Sequence, residues 1–179
     1  MFGLTNFELS QCLITVAIGF DIMSFQFKRR EAILACLTVS VVFISVHFYL
    51  LGNMTAALLV SASILRNLVS IFSTSKYTMS FFVALSSAVT ALTYSGILSI
   101  VALLGTSIQT VAAFSKTDKR VRILMMIGTS VWLAHNYFAG SPAAVLMETI
   151  FLSSNIIAYY RFYIREARAA INNRAVISD

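Results

Sequence analysis

Residues 47–58 read HFYLLGNMTAAL, and residues 135–146 read HNYFAGSPAAVL. At one constant offset His47 falls on His135, Tyr49 on Tyr137, Gly52 on Gly140, Ala56 on Ala144 and Leu58 on Leu146. The same offset carries Asn67 onto Asn155. Apolar composition alone matches Ala and Leu readily, but not His, Tyr, Gly and Asn together. The chain holds two histidines, and both fall inside the match. An internal repeat is the first thing this sequence states, and everything else is arranged around it.

Outward from these segments the chain is apolar in long runs. Of its 179 residues 59% are hydrophobic, 11% are charged, and one is proline; the mean hydropathy is +0.85. A soluble domain needs more charge than this to cover its surface. Strand-like alternation is absent, and a run of about 20 apolar residues is long enough to cross a hydrocarbon core as a helix. Backbone groups in lipid find no water, so each run closes its hydrogen bonds internally. The pattern predicts an all-α membrane protein with seven transmembrane helices, over about residues 9–26, 32–51, 53–73, 78–95, 97–115, 121–139 and 141–162. The weakest division is the short break Tyr94, Ser95, Gly96 between the fourth and fifth spans; six spans is the alternative there. No basic region precedes the first run, so no cleaved signal peptide is expected.

The cations set the orientation. Lys28, Arg29 and Arg30 follow the first span, Lys76 the third, and Lys116, Lys119, Arg120 and Arg122 the fifth. Arg161, Arg165, Arg168 and Arg174 end or follow the seventh. The intervening turns carry no Lys or Arg. All basic loops therefore fall on one side, which the positive-inside rule makes cytoplasmic: N-terminus out, C-terminus in. The net charge of +6 is explained by this anchoring, so nucleic-acid binding is not expected. One transmembrane domain, 1–163, is expected, with a short cytoplasmic tail at 164–179. Within it repeat A covers about 9–73, a linker helix about 78–95 and repeat B about 97–163. Three spans, one linker and three spans make a parallel repeat, a 3+1+3 plan of the kind found in SWEET-like sugar carriers, whose substrate site lies near the midplane.

Polar groups inside a span are costly and mark candidate sites. Asp21 and Arg66 sit at similar depth, and an ion pair between them is the structural solution expected. Ser63, Arg66, Asn67 and Ser70 form one polar stripe. Glu148 and Asn155 share a face of the last span, and the tight turn before it brings His135 near Glu148, where the two could relay a proton. The alternative for His47 and His135 is an interfacial role beside Tyr49, Tyr137 and Trp132. Candidate substrate-binding residues are thus Asn67, Asn155, Arg66, Glu148, His135 and His47. Cys12 and Cys36 lie in apolar runs and read as small membrane-buried residues. No zinc spacing, phosphate-binding glycine loop or nucleophile elbow is present, so no metal, cofactor or catalytic residue is expected.

The runs SVHFYLLG (45–52) and AHNYFAGS (134–141), together with Arg66, Glu148, Asn155, Arg161-Phe162 and SFQFKRR (24–30), closely resemble the YgjV-like bacterial inner-membrane proteins. The resemblance covers the chain to about residue 163. It implies an inner-membrane location and no known activity. A more distant likeness runs to SWEET, PQ-loop and vitamin carriers. In SWEET carriers an asparagine of the third helix of each repeat helps line the substrate site, which the resemblance implies for Asn67 and Asn155. Those carriers also kink the first helix of each repeat at a proline. Here the first and fifth spans have none, and Gln26 and Gln109 stand without that partner. The expected function is a carrier of a small polar metabolite, in the bilayer and as a homo-oligomer. The rivals are a non-transporting receptor or assembly factor on the same scaffold and an intramembrane enzyme built on His47, His135 and Glu148.

Overall fold

The computed structural model describes residues 5–52, 54–140 and 142–166. Among these residues the chain forms seven α-helices and no strand: α1 (Asn6–Ser24), α2 (Arg30–Leu50), α3 (Met54–Phe72), α4 (Lys76–Leu92), α5 (Ile97–Ala113), α6 (Asp118–Phe138) and α7 (Pro142–Tyr159), the last continuing into a π-helical turn, Tyr160–Arg165. The expected cytoplasmic tail lies almost wholly outside the described residues.

The local chemistry explains where the helices begin and stop. Thr5 caps α1: its hydroxyl accepts from the Glu8 amide while the Glu8 carboxylate reaches back to the Thr5 amide, a reciprocal capping box. These bonds hold the Glu8 carboxyl below its usual range. Pro142 opens α7, where its missing N–H is no loss. The chain leaves α2 and α6 by the same turn. Leu51 and Ala139 donate to the carbonyls of His47 and His135, and Gly52 and Gly140 donate to those of Tyr49 and Tyr137. Both glycines have positive φ, 75° and 69°, a left-handed geometry that is costly for a residue with a Cβ. The short break at 93–96 does separate α4 from α5.

Six of the helices close a ring: α1 on α2, α2 on α3, α3 on α5, α5 on α6, α6 on α7, and α7 back on α1. The fourth helix stands outside, against α3 and α5. The ring's outer surface is apolar, with Leu65, Phe72, Leu104 and Ile157 all largely exposed. Three helices, α1, α2 and α7 with its π-helical extension, are by length and composition able to cross a membrane. The fifth has 17 residues, about 25 Å at 1.5 Å per residue, somewhat under a hydrocarbon core of roughly 30 Å.

Among the described residues the basic segments lie at one end of the bundle. That end is packed shut by Phe25, Ile33, Leu37, Val121, Met125 and Phe151. The α5–α6 contact is close because two glycines face it. A Cβ on Gly105 would stand 2.9 Å from the Trp132 ring, and one on Gly128 would stand 2.8 Å from the Gln109 side chain.

Candidate functional site

The ring encloses a cavity of about 90 Å³, room for several water molecules or one small solute. Its walls come from both halves of the chain, mostly at positions related by the offset that carries His47 onto His135. Leu37, Val41, Ile44 and Phe48 of α2 answer Met125, Thr129, Trp132 and Asn136 of α6. These follow alternating steps of three and four, one face of each helix. Asp21 of α1 answers Gln109 of α5, and Val60 and Ser63 of α3 answer Glu148 and Phe151 of α7. The cavity extends along α2 and α6 to Phe48 and Asn136, two residues from the ends of those helices opposite the basic segments.

Three ionisable side chains line the cavity: Asp21, Arg66 and Glu148. All are buried. The expected ion pair between Asp21 and Arg66 is not among the salt bridges of the described residues. Arg66 instead donates to the Asn67 side-chain oxygen from Nε (3.1 Å) and Nη2 (3.0 Å), and to Thr110 Oγ1 of α5 from Nη1 (3.2 Å). The reason is azimuthal. α2 packs between α1 and α3, and neutral acceptors lie nearer to the guanidinium than the carboxylate does. Ser40 of α2 lies beside the Asp21 carboxyl. Glu148 has neither hydrogen bond nor ion pair to another described residue, and it feels the charge of Asp21 across the α1–α7 contact. The cavity thus has a basic wall on α3 and an acidic wall on α1 and α7.

This geometry predicts weak coupling in a double-mutant cycle. Arg66→Ala and Asp21→Asn are each expected to destabilise the protein. Their interaction energy is expected below about 1 kcal/mol, against roughly 3–5 for breaking a buried direct pair. Denaturation of the two single variants and the double variant in one detergent measures it. A coupling of several kcal/mol would mean that the two groups touch.

The remaining candidates are placed differently. Asn67 lines the cavity, but its oxygen is occupied by Arg66. Asn155 stands off the cavity, beside a separate void of about 10 Å³. Its amide donates to the Arg122 carbonyl (3.1 Å), and its oxygen accepts from Arg122 Nη1 (3.5 Å). Equivalent asparagines are therefore each held by an arginine, Arg66 from the neighbouring position and Arg122 from the facing helix. His47 is buried against the Ser10 carbonyl (Nδ1 to oxygen, 3.0 Å). His135 shares a hydrogen bond with Asn136 (3.1 Å) and stacks edge-on to Trp132. Neither histidine lines the cavity, and no hydrogen bond joins His135 to Glu148 among the described residues.

Two residues that the sequence reading counted only as loop cations prove structural. Arg30 is buried and donates to the carbonyls of Ser115 (Nε, 2.8 Å), Ala113 (Nη2, 2.9 Å) and Ser70. Arg122 is buried and donates to the Phe27 carbonyl, with its guanidinium 5.3 Å from the centre of the Phe162 ring. Arg161 adds a bond to the Phe25 carbonyl (3.3 Å). Phe25 and Phe27 correspond, by the repeat offset, to Ala113 and Ser115. The ends of α1 and α5 are thus held by arginine side chains at equivalent carbonyls, where helix C-termini leave acceptors unsatisfied. Helical phase was the available signal. Arg30 lies on the stripe of Leu34, Leu37, Val41, Ile44 and Phe48, and Arg122 on that of Met125, Thr129, Trp132 and Asn136.

A family model described as a bacterial inner membrane protein, Imp-YgjV, matches residues 8–166. The chain belongs to this family. It is also 26% identical over 165 residues to the inner membrane protein YgjV of Escherichia coli strain K12, covering 92% of this chain and 90% of that protein. No solved structure matches. The location follows from the family and agrees with the apolar outer surface of the ring: the protein resides in the bacterial inner membrane.

Proposed function

We propose that this protein is a carrier for a small polar solute, working by alternating access between two related halves. The observation that carries the reading is the cavity itself. It lies between α1–α3 and α5–α7, most of its wall positions are pairs from the two halves, and it holds buried ionisable groups that form no ion pair with one another among the described residues. A purely structural interior has no reason to keep Glu148 without a partner, since an unpaired buried carboxylate is costly. In this reading all seven helices span the bilayer, the halves form a parallel 3+1+3 repeat with α4 as the linker, and the basic end is cytoplasmic.

The arginine clamps then have a mechanical role. Arg30 reaches from α2 to the end of α5, and Arg122 and Arg161 reach from α6 and the end of α7 to the end of α1. Each crosses between the halves at the basic end, where the apolar cluster also closes the bundle. In this reading the clamped conformation admits solute from the periplasmic side, and solute release to the cytoplasm requires these clamps to part. The chemistry is binding and conformational exchange rather than bond making, since the histidines an enzyme would need are turned into their own halves.

The test is accessibility together with uptake. In a protein with Cys12 and Cys36 replaced by serine, a cysteine at Phe48 or Asn136 is expected to react with a membrane-impermeant thiol reagent applied from the periplasm. A cysteine at Phe25 or Val121 is expected not to react. Metabolites that raise the melting temperature of the purified protein are then expected to accumulate in proteoliposomes. Reaction at Phe25 in preference to Phe48, or stabilisation by a solute that never crosses the bilayer, would reject the carrier.

A further inference from the structure

The geometry points to a small zwitterion as the solute, with its carboxylate on Arg66 and its ammonium between Asp21 and Glu148. This deepens the carrier reading and rests on it only in treating the cavity as the solute's site. The argument begins with what each wall lacks. Arg66 is 97% buried, yet its bonds among the described residues go to an amide oxygen and a hydroxyl, and no carboxylate of those residues pairs with it. A guanidinium has five N–H donors in a planar fork suited to a carboxylate, and three bonds to two neutral acceptors leave that capacity incomplete. Across the cavity Glu148, 91% buried, is without a hydrogen-bonding partner among the described residues, and it lines the same cavity as Asp21 on the adjoining helix α1.

An ammonium group between the two carboxyls supplies both the missing counter-charge and the missing donors. The aromatic walls agree with this. Trp132 and Phe151 line the same cavity, and ring faces attract a desolvated cation. A simple amine would leave Arg66 without an anion, and a simple carboxylate would meet two acidic groups. A solute bearing both charges, a few atoms apart, satisfies both walls at once. The volume sets the size. A cavity of about 90 Å³ is smaller than the roughly 150 Å³ that accommodates benzene, so the fitting solutes are those of the glycine and β-alanine class.

Purified protein in detergent is titrated with glycine and with β-alanine, and with methylamine and acetate, singly and together, as controls. Melting temperature is one readout. The emission of Trp132, the chain's one tryptophan, which lines the cavity, is the other. The expected result is that a zwitterion raises the melting temperature and changes the emission, while neither fragment does so. Glu148→Gln is expected to weaken the zwitterion response about tenfold or more, the loss typical of one charge-assisted contact. Asp21→Asn is expected to act in the same direction. The comparison of probes on the unaltered protein stands even if a variant fails to fold. No response to either zwitterion, or an equal response to methylamine or acetate alone, overturns the assignment. Uptake of a different solute with no zwitterion response overturns it while sparing the carrier. Zwitterion binding without uptake into proteoliposomes supports it and rejects the carrier instead.

Discussion

Replacing Arg30 by alanine is expected to lower the stability of the purified protein by about 3–5 kcal/mol, while replacing Arg29, its neighbour, changes it by no more than about 0.5. The two residues adjoin in sequence and carry the same charge. Both come within 3.9 Å of Glu31, but their burial and hydrogen bonding differ. The Arg29 side chain is 86% exposed and only 3.9 Å from Glu31 at its nearest, an arrangement worth little in water. The Arg30 side chain is 8% exposed and satisfies the carbonyls of Ser70, Ala113 and Ser115. Alanine leaves three acceptors near the C-termini of α3 and α5 without that donor. Each bond to a charged group is worth roughly 1.5–3 kcal/mol, and part of the loss is recovered by water at this end. Lysine is expected to restore only a minor share, because one ammonium cannot reproduce a planar fork aimed at carbonyls on two helices. Chemical denaturation in detergent of the two alanine variants and Arg30→Lys measures this. Equal stability of the Arg29 and Arg30 variants would show that the clamp carries no load.

The same pair of residues shows what was legible in the sequence. Runs of apolar residues located all seven helices to within a few residues, because hydropathy reports on length and that is what a helix in lipid requires. The repeat segments also located the turns at Gly52 and Gly140, whose geometry proves equivalent. Charge counting, however, treats every cation outside an apolar run alike. The helices α2 and α6 begin at Arg30 and Asp118, earlier than their apolar runs, and that extra turn places Arg30 and Arg122 in phase with the buried stripe. Depth was legible, but azimuth across three helices was not. Asp21 and Arg66 share a cavity as their depth suggests, yet they do not pair.

The repeat was a good guide to position and a poor one to environment. Asn67 and Asn155 correspond, but their surroundings have diverged. The position of Leu34 in the first half is taken by Arg122 in the second, and that of Arg66 is taken by Ser154. Each half therefore keeps one arginine on its asparagine but brings it from a different place. Only in the first half does the asparagine remain at the cavity. Likewise Val60 answers Glu148, so the acidic wall has no mirror image. A cavity with a basic wall on one side and an acidic wall on the other is asymmetric although many of its wall positions are related by the sequence offset, and the proposed zwitterion rests on this asymmetry.

Gly105→Ala is expected to destabilise the protein by about 1–3 kcal/mol, the usual cost of forcing extra volume into a packed contact, and to move Trp132. The new methyl would stand 2.9 Å from both Cδ1 and Nε1 of the indole, too close for any real contact. The obstacle is a rigid ring rather than the tip of a flexible chain, so relief requires the indole to rotate or α5 and α6 to separate. Trp132 lines the cavity, and displacement toward that polar space is expected to shift its emission to longer wavelength. Because the chain has one tryptophan, the signal has a single source. Gly19→Ala is the matched control. It lies in α1 with no atom within 4 Å of the added methyl, and a helical alanine in place of glycine is expected to be neutral or stabilising by up to about 1 kcal/mol. Emission spectra and thermal melts of the two variants test the packing directly. A Gly105→Ala protein with unchanged emission and stability would mean that Trp132 does not rest on Gly105, and that the cavity wall it forms is drawn in the wrong place.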